Sequence, residues 1–196
     1  MNSNFFKLIL RLVGVKYGKG LLLRGIPTVY RKRGARIALG DGVIIKSSFL
    51  SNLVGLYSRT ILCARTSGAE IVIGNNVGMS GATLYARKGI HIGDNTCIGG
   101  NCKILDNDFH PLEWVERNRL MRGAHGPDAN ERIPTKAIHI GKNCLLGCNS
   151  IILKGTVLGD GCVVGAGAVV CGEFAPDSLI VGNPACCVRK IENRQE

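Results

Sequence analysis

The sequence predicts an all-β protein, a parallel β-helix of hexapeptide repeats with a short N-terminal helical segment, one expelled loop and a short C-terminal tail. Three observations predict it. An aliphatic residue recurs at every sixth position: Ile140, Leu146, Ile152, Leu158, Val164 and Val170. Helical apolar faces recur at three and four, so this period is not a helix; it fits short strands that each end in a tight corner. The fourth column reads Asn143, Asn149, Gly155, Gly161 and Gly167. Asn and Gly enter the φ > 0 region most cheaply, which marks a repeated turn. The fifth column, Cys144, Ser150, Thr156, Cys162 and Ala168, is small throughout and suits a crowded inner corner. Glu173 and Phe174 break the pattern, and the regular array is expected to end there.

A chain of 196 residues suits one domain with small appendages. Gly is frequent at 27 and aromatics are few at 5%, as expected of strands and tight corners. Nine Cys is an odd number with no CxxC pair, so the corner cysteines, including Cys102, Cys144 and Cys162, read as small hydrophobes. This usage points to a reducing cytoplasm. The net charge of +11 is concentrated early, in Lys7, Arg11, Lys16, Lys19, Arg24, Arg31, Lys32, Arg33 and Arg36. Such a surface attracts phosphates, membranes or nucleic acid. The aromatic-plus-Arg pattern of a nucleic-acid module is missing, which argues against that partner.

In chain order, residues 1–36 form a basic N-terminal segment. Residues 1–16 have helical spacing but are too short to span a bilayer. Lys7 and Arg11 interrupt the apolar run, which argues against a signal peptide. Two readings stay open: the helix caps the open end of the β-helix, or it makes a peripheral membrane contact at the inner face with its basic stripe toward anionic lipid. Residues 17–36 read as irregular. The repeat domain is placed at 37–190. Ile37–Gly42, Ile71–Asn76, Ile90–Asn95 and Ile138–Asn143 read as openings of successive coils. Hexads run from 39 and 45, lose register around Ser51–Arg65, resume at Ile73, Met79 and Tyr85, then continue at Ile92, Ile98 and Ile104. Three hexads make one triangular turn. Where the next is due stands His110-Pro111, and 112–137 is a long polar loop, a length that is often functional. Beyond Pro176 the chain reads Gly182-Asn183-Pro184-Ala185 and then a charged short helix, with 191–196 as the tail.

The hexads, the His-Pro at the mouth of an expelled loop and the closing VGNPA…VRK together resemble the hexapeptide-repeat acyltransferases, the left-handed parallel β-helix enzymes. The nearer branch is similar to sugar O-acetyltransferases of the maltose, galactoside and polysaccharide-modifying types. The resemblance implies left-handed winding, a homotrimer with active sites between neighbouring prisms, and acetyl-CoA as donor without a metal. It places the general base at His110 and the coenzyme channel along Gly147-Cys148, Ala166 and Cys171. Arg189 would approach the coenzyme phosphates. The stretch Gly78–Ala82 lacks the polar residues of the maltose and galactoside enzymes, so their sugar preference does not carry over.

Read as chemistry, acyl transfer from a thioester to a hydroxyl needs a base, and His titrates near neutrality. Asp106, Asp108 or a nearby carbonyl is close enough in sequence to orient the ring and stabilise the imidazolium. The wall from Leu146 to Val170 offers Gly147, Gly165 and Ala166, where a narrow pantetheine arm can lie against backbone. Trp114 is a candidate to stack on an acceptor sugar or to anchor the loop. Ser80 and Asp106 are candidates for acceptor hydroxyls. His91 and His139 should point outward from a strand, and His125 sits in the loop. These histidines do not give the gathered triad that a zinc β-helix enzyme needs. A non-enzymatic scaffold, or an N-acetyltransferase acting on an amino sugar, are the alternatives.

Overall fold

The computed structural model describes residues 3–123 and 132–192. The strands fall into three parallel sheets that the chain visits in rotation, so the coils stack as a triangular prism. The first face holds Lys16–Tyr17, Arg36–Leu39, Glu70–Ile73, Gly89–Ile92, Ile138–Ile140, Val157–Leu158 and Glu173–Phe174. The second runs from Leu22–Arg24 to Ser178–Gly182 and adds the antiparallel Ala185–Lys190. The third runs from Thr28–Arg31 to Val169–Val170. The four expected coil openings lie side by side on the first face, with Ile37 opposite Ile71, Ile71 opposite Ile90, and Ile90 opposite Ile138.

The columns read from the sequence have the expected physical roles. Ile140, Leu146, Ile152, Leu158, Val164 and Val170 are buried along the axis. Each such side chain contributes about 1.5–3 kcal/mol on leaving water. Asn143 and Asn149 stand at φ 56° and 58°, and Gly155, Gly161 and Gly167 share that left-handed region. The fifth column, from Cys144 to Ala168, is buried inside the corners. A column of glycines at the second position (Gly40, Gly74, Gly93, Gly141) lets neighbouring coils touch: a Cβ on Gly93 would lie 2.6 Å from the Gly141 carbonyl carbon.

The array is longer than the sequence suggests at both ends. A first coil, Lys16–Tyr17, Leu22–Arg24 and Thr28–Arg31, precedes the expected start at 37. Its inward positions hold Leu21 and Leu23, while its many basic residues sit outside and mask the period. At the other end Phe174 opens a further hexad, with Asp177 at φ 59° in the turn column and Ser178 in the buried corner column. Two residues are deleted there, so the repeat shifts phase without stopping. In place of the expected terminal helix, Gly182–Ala185 turns the chain into Ala185–Lys190, which pairs back on Ser178–Gly182 and covers the sheet end. Tyr85 is a further correction: Leu84 is the buried partner of Ile104, because the corner before it is one residue short, and Tyr85 points out.

The N-terminal end is closed by α1 (Ser3–Leu12). Phe6 and Leu10 join the core cluster, the Tyr17 hydroxyl donates to the Lys7 carbonyl, and Arg11 lies over the Tyr17 ring. The helix therefore caps the open end of the prism, one of the two readings the sequence left open.

Candidate active site

Between Lys103–Leu105 on the third face and Ile138–Ile140 on the first, the chain leaves the array at the edge these faces share. Asp106 begins the departure and is fully buried. Its carboxylate accepts the backbone N–H groups of Arg87, Lys88 and Gly89, at 2.7 to 3.0 Å, and the Asn107 side-chain amide. It pins the corner of the preceding coil, and so does not orient His110 or meet an acceptor hydroxyl as the sequence reading allowed. Asn107 Oδ1 accepts from the Phe109 N–H, and Phe109 stands at φ 62°, rare for so bulky a residue. Its ring packs on Tyr85 at 4.7 Å. Asp108 Oδ1 pairs with Lys154 Nζ at 2.6 Å, while Oδ2 is buried with no hydrogen-bond partner among the described residues. The backbone is thus fixed on both sides of a bend that presents an exposed His110, whose N–H donates to the Asp108 carbonyl.

Pro111 follows, then α2 (Trp114–Met121). Trp114 is 67% exposed on its first turn, so it does not anchor the loop against the prism. His125 lies outside the described residues. Ser80 is buried, and its hydroxyl accepts from Asn52, so it is not open to an acceptor.

Gly147, Cys148, Gly165 and Ala166 meet at a different edge, between the second and third faces. Gly147 N–H donates to Val164, Gly167 N–H donates to Cys148, and a Cβ on Gly147 would stand 2.5 Å from the Ala166 nitrogen. Backbone is therefore the surface here, with Ala166 exposed on it. Cys171 lies instead at the third-to-first edge, and Arg189 is exposed on the final antiparallel strand opposite Leu179. Within one chain His110 and the Gly147–Ala166 wall are separated by the width of the third face. Six extended residues from Cys148 to Lys154 reach about 20 Å.

The sequence reading missed how the segment at 48–60 is used. The loss of register around Ser51–Arg65 reads in the sequence as an irregular corner or small loop. The segment runs along the edge of the Gly147 wall: Tyr57 N–H donates to Asn101, Asn101 donates to the Gly55 carbonyl, and the Tyr57 hydroxyl donates to Asn149 beside Cys148. Its tip exposes Phe49, Leu50 and Leu53. The run of apolar residues without a period was the one signal available.

The remaining histidines stand on the first face as expected. His91 and His139 stack at 4.7 Å, and His91 Nε2 is 3.2 Å from Glu70 Oε1. Burial holds the His91 pKa below its usual value, with His139 adding to the effect against Glu70. Among the described residues no group of three His, Cys, Asp or Glu is placed to hold a metal ion.

The corner cysteines are packed thiols. Cys102, Cys144 and Cys162 donate to the carbonyls of Gly147, Gly159 and Ala175. Burial pushes the Cys144 thiol up to about 11 and raises Cys102 and Cys162 in the same direction. A thiol so raised is not a nucleophile at neutral pH. Cys144→Ala is expected to remain folded, with about 1 kcal/mol lost in urea unfolding and coenzyme binding unchanged. Abolished turnover in a soluble Cys144→Ala or Cys148→Ser protein would instead indicate a thiol mechanism.

Comparison with known proteins agrees with this architecture. The family model of the hexapeptide repeat of succinyl-transferase matches residues 137–171. A Staphylococcus aureus protein provisionally named an acetyltransferase is 39% identical over 123 residues, covering 53% of this chain and 56% of that protein. The chain thus spans little more than half the length of the curated relatives it matches. An N-acyltransferase from Bacillus cereus, solved with dTDP and 3-hydroxybutyryl-CoA, aligns with TM-score 0.68 and 23% identity, covering 100% of this chain and 92% of that one. A maltose O-acetyltransferase from Clostridium difficile aligns with TM-score 0.54 and 21% identity, covering 98% and 78%. At these identities the solved structures speak for the fold. The chain is a hexapeptide-repeat β-helix, and the hexapeptide-repeat acyltransferases are the proteins it resembles.

Proposed function

We propose that this protein is an acetyl-CoA-dependent acyltransferase that moves an acetyl group to a hydroxyl of a sugar or saccharide precursor, with His110 as general base. The observation that carries the reading is the corner at Asp106–His110. A buried carboxylate, an Asn cap and a left-handed Phe109 hold the backbone there, yet they leave an exposed imidazole at the break in the array. Acetyl-CoA supplies the thioester. His110 takes the hydroxyl proton as the bond to the acetyl carbon forms and returns it to the departing thiolate. Of the two carboxylates considered, Asp108 is the one with a free oxygen to steady the ring once substrates close the site. A backbone N–H of the Gly-rich edge serves the oxyanion. Trp114 is free to stack on the acceptor.

The reading includes a homotrimer of left-handed prisms, as the resemblance implies, in a reducing cytoplasm, to which the cysteine usage points. Two features support assembly. His110 and the coenzyme wall sit on different edges of one chain, so the His110 edge of one copy can complete the Gly147–Ala166 edge of the next. The second face also carries an outward ladder of small or aliphatic residues, Leu22, Ile44, Gly78, Cys97, Leu145, Val163 and Leu179. An amine of an amino sugar is the alternative acceptor, since one structural neighbour was solved with dTDP-4-amino-4,6-dideoxyglucose and CoA.

CoA release measured with a panel of sugars, sugar nucleotides and amino sugars tests the activity; no release with any of them overturns it. The donor site is tested by calorimetry. Arg189→Ala is expected to weaken acetyl-CoA by about 1–3 kcal/mol, the scale of a hydrogen bond to a charged group. Dephospho-CoA should suffer less if Arg189 meets the 3′-phosphate. Ala166→Trp is expected to block binding without unfolding, because its side chain points to solvent. Unchanged affinity in both variants would place the coenzyme elsewhere.

A further inference from the structure

Helix α1 has three sides. Phe6 and Leu10 face the prism. Lys7 and Arg11 occupy a second side, four residues apart on one helical stripe. The third side is apolar and open: Phe5, Leu8, Ile9 and Leu12 are 61, 54, 38 and 77% exposed. A helix needs only one apolar face to cap a prism, so capping does not account for this one. The surroundings are mainly basic, with Asp41 the carboxylate that meets the first coil, at the Lys19 N–H. Residues 1–40 contain nine Lys or Arg and no Asp or Glu. Of these, Arg31 is used internally, on the Val13 and Ala35 carbonyls, while Lys16, Lys19, Arg24, Lys32 and Arg33 are exposed on the first coil, next to the helix. No helix of the described residues is long and apolar enough to cross a membrane, and α1 is about 15 Å long.

We infer that the outer face of α1, together with the basic first coil, docks this protein on an anionic lipid surface. The apolar face enters the headgroup and acyl boundary while Lys7, Arg11 and the first-coil cations meet the headgroups. Both contributions are needed, because a short apolar face alone and a cation cluster alone each bind weakly. The inference is independent of the proposed catalysis, since lipid binding is read without turnover. The other exposed apolar patch, Phe49, Leu50 and Leu53, belongs to the edge segment and lacks this run of cations.

Sedimentation of the full chain with vesicles tests the assignment. Vesicles of phosphatidylcholine mixed with phosphatidylglycerol are expected to bind about tenfold or more tightly than phosphatidylcholine alone, and added salt should reverse the gain. Leu8→Ser combined with Leu12→Ser, both at exposed positions, is expected to keep the fold and lose about tenfold or more of the binding. Leu50→Ser combined with Leu53→Ser should bind as the parent does. Equal binding to both kinds of vesicle, or none, overturns the inference. So does loss of binding in the Leu50/Leu53 variant alone. Overturning also follows if the Leu8/Leu12 variant leaves lipid binding intact but lowers the sedimenting mass, which would show a second copy as the occupant of that face.

Discussion

Replacing His110 by Ala is expected to lower acetyl transfer about 100-fold or more while the protein stays folded. The two halves of this result have separate physical origins. His110 is exposed, and its imidazole has no hydrogen-bond partner among the described residues, so its removal creates neither a cavity nor an orphaned buried group. The rate should fall because neither carboxylate at the bend can replace it: Asp106 is consumed by backbone donors, and Asp108 pairs with Lys154 through Oδ1 while its Oδ2 is buried away from an acceptor hydroxyl. Acetyl-CoA affinity should be unchanged, since the Gly147–Ala166 wall lies at another edge. Steady-state rates on a variant whose melting matches the parent check this. Activity within a few-fold of the parent would remove His110 from the mechanism.

Asp106→Ala is expected to be the most damaging single change for stability, at about 3–5 kcal/mol in urea unfolding. Its carboxylate serves three successive N–H groups, of Arg87, Lys88 and Gly89, in a corner without solvent access. Ala supplies no acceptor, and each stranded buried donor costs about 1–3 kcal/mol, partly relieved if water enters. Natural domains hold only about 5–15 kcal/mol in all, so the loss is a large share. Asp106→Asn keeps one acceptor oxygen but turns an amide donor toward N–H groups, and should recover only part of the loss. A change below about 1 kcal/mol for Asp106→Ala would mean that this corner is held by other contacts. Transfer activity should also fall in folded Asp106→Asn, because Asp106 sets the path of the chain into His110.

The six-residue period sufficed for the prism because each column answers one local demand. Inward positions must be aliphatic, turn positions must accept φ > 0, and corner positions must be small. Ile140, Asn143 and Cys144 show all three within five residues. The period failed where other demands overlay it. The basic residues of the first coil hid Leu21 and Leu23, and a two-residue deletion hid Phe174, Asp177 and Ser178. His110 was legible because it breaks an aliphatic column. The roles of its neighbours were not. Asp106 and Asp108 have the same side chain two residues apart, and only the packing of adjacent coils sends one to backbone N–H groups and the other to Lys154.

The sequence by itself determined the repeat, the corner that carries His110 and the smooth wall at Gly147 and Ala166, since these rest on what each residue can do alone. Only the tertiary structure decided that His110 and the Gly147–Ala166 wall occupy different edges, that Tyr57 reaches Asn149 across the coils, and that α1 caps the prism with one face and leaves another open. Those facts depend on which coil lies beside which, and a period of six is the same on every edge.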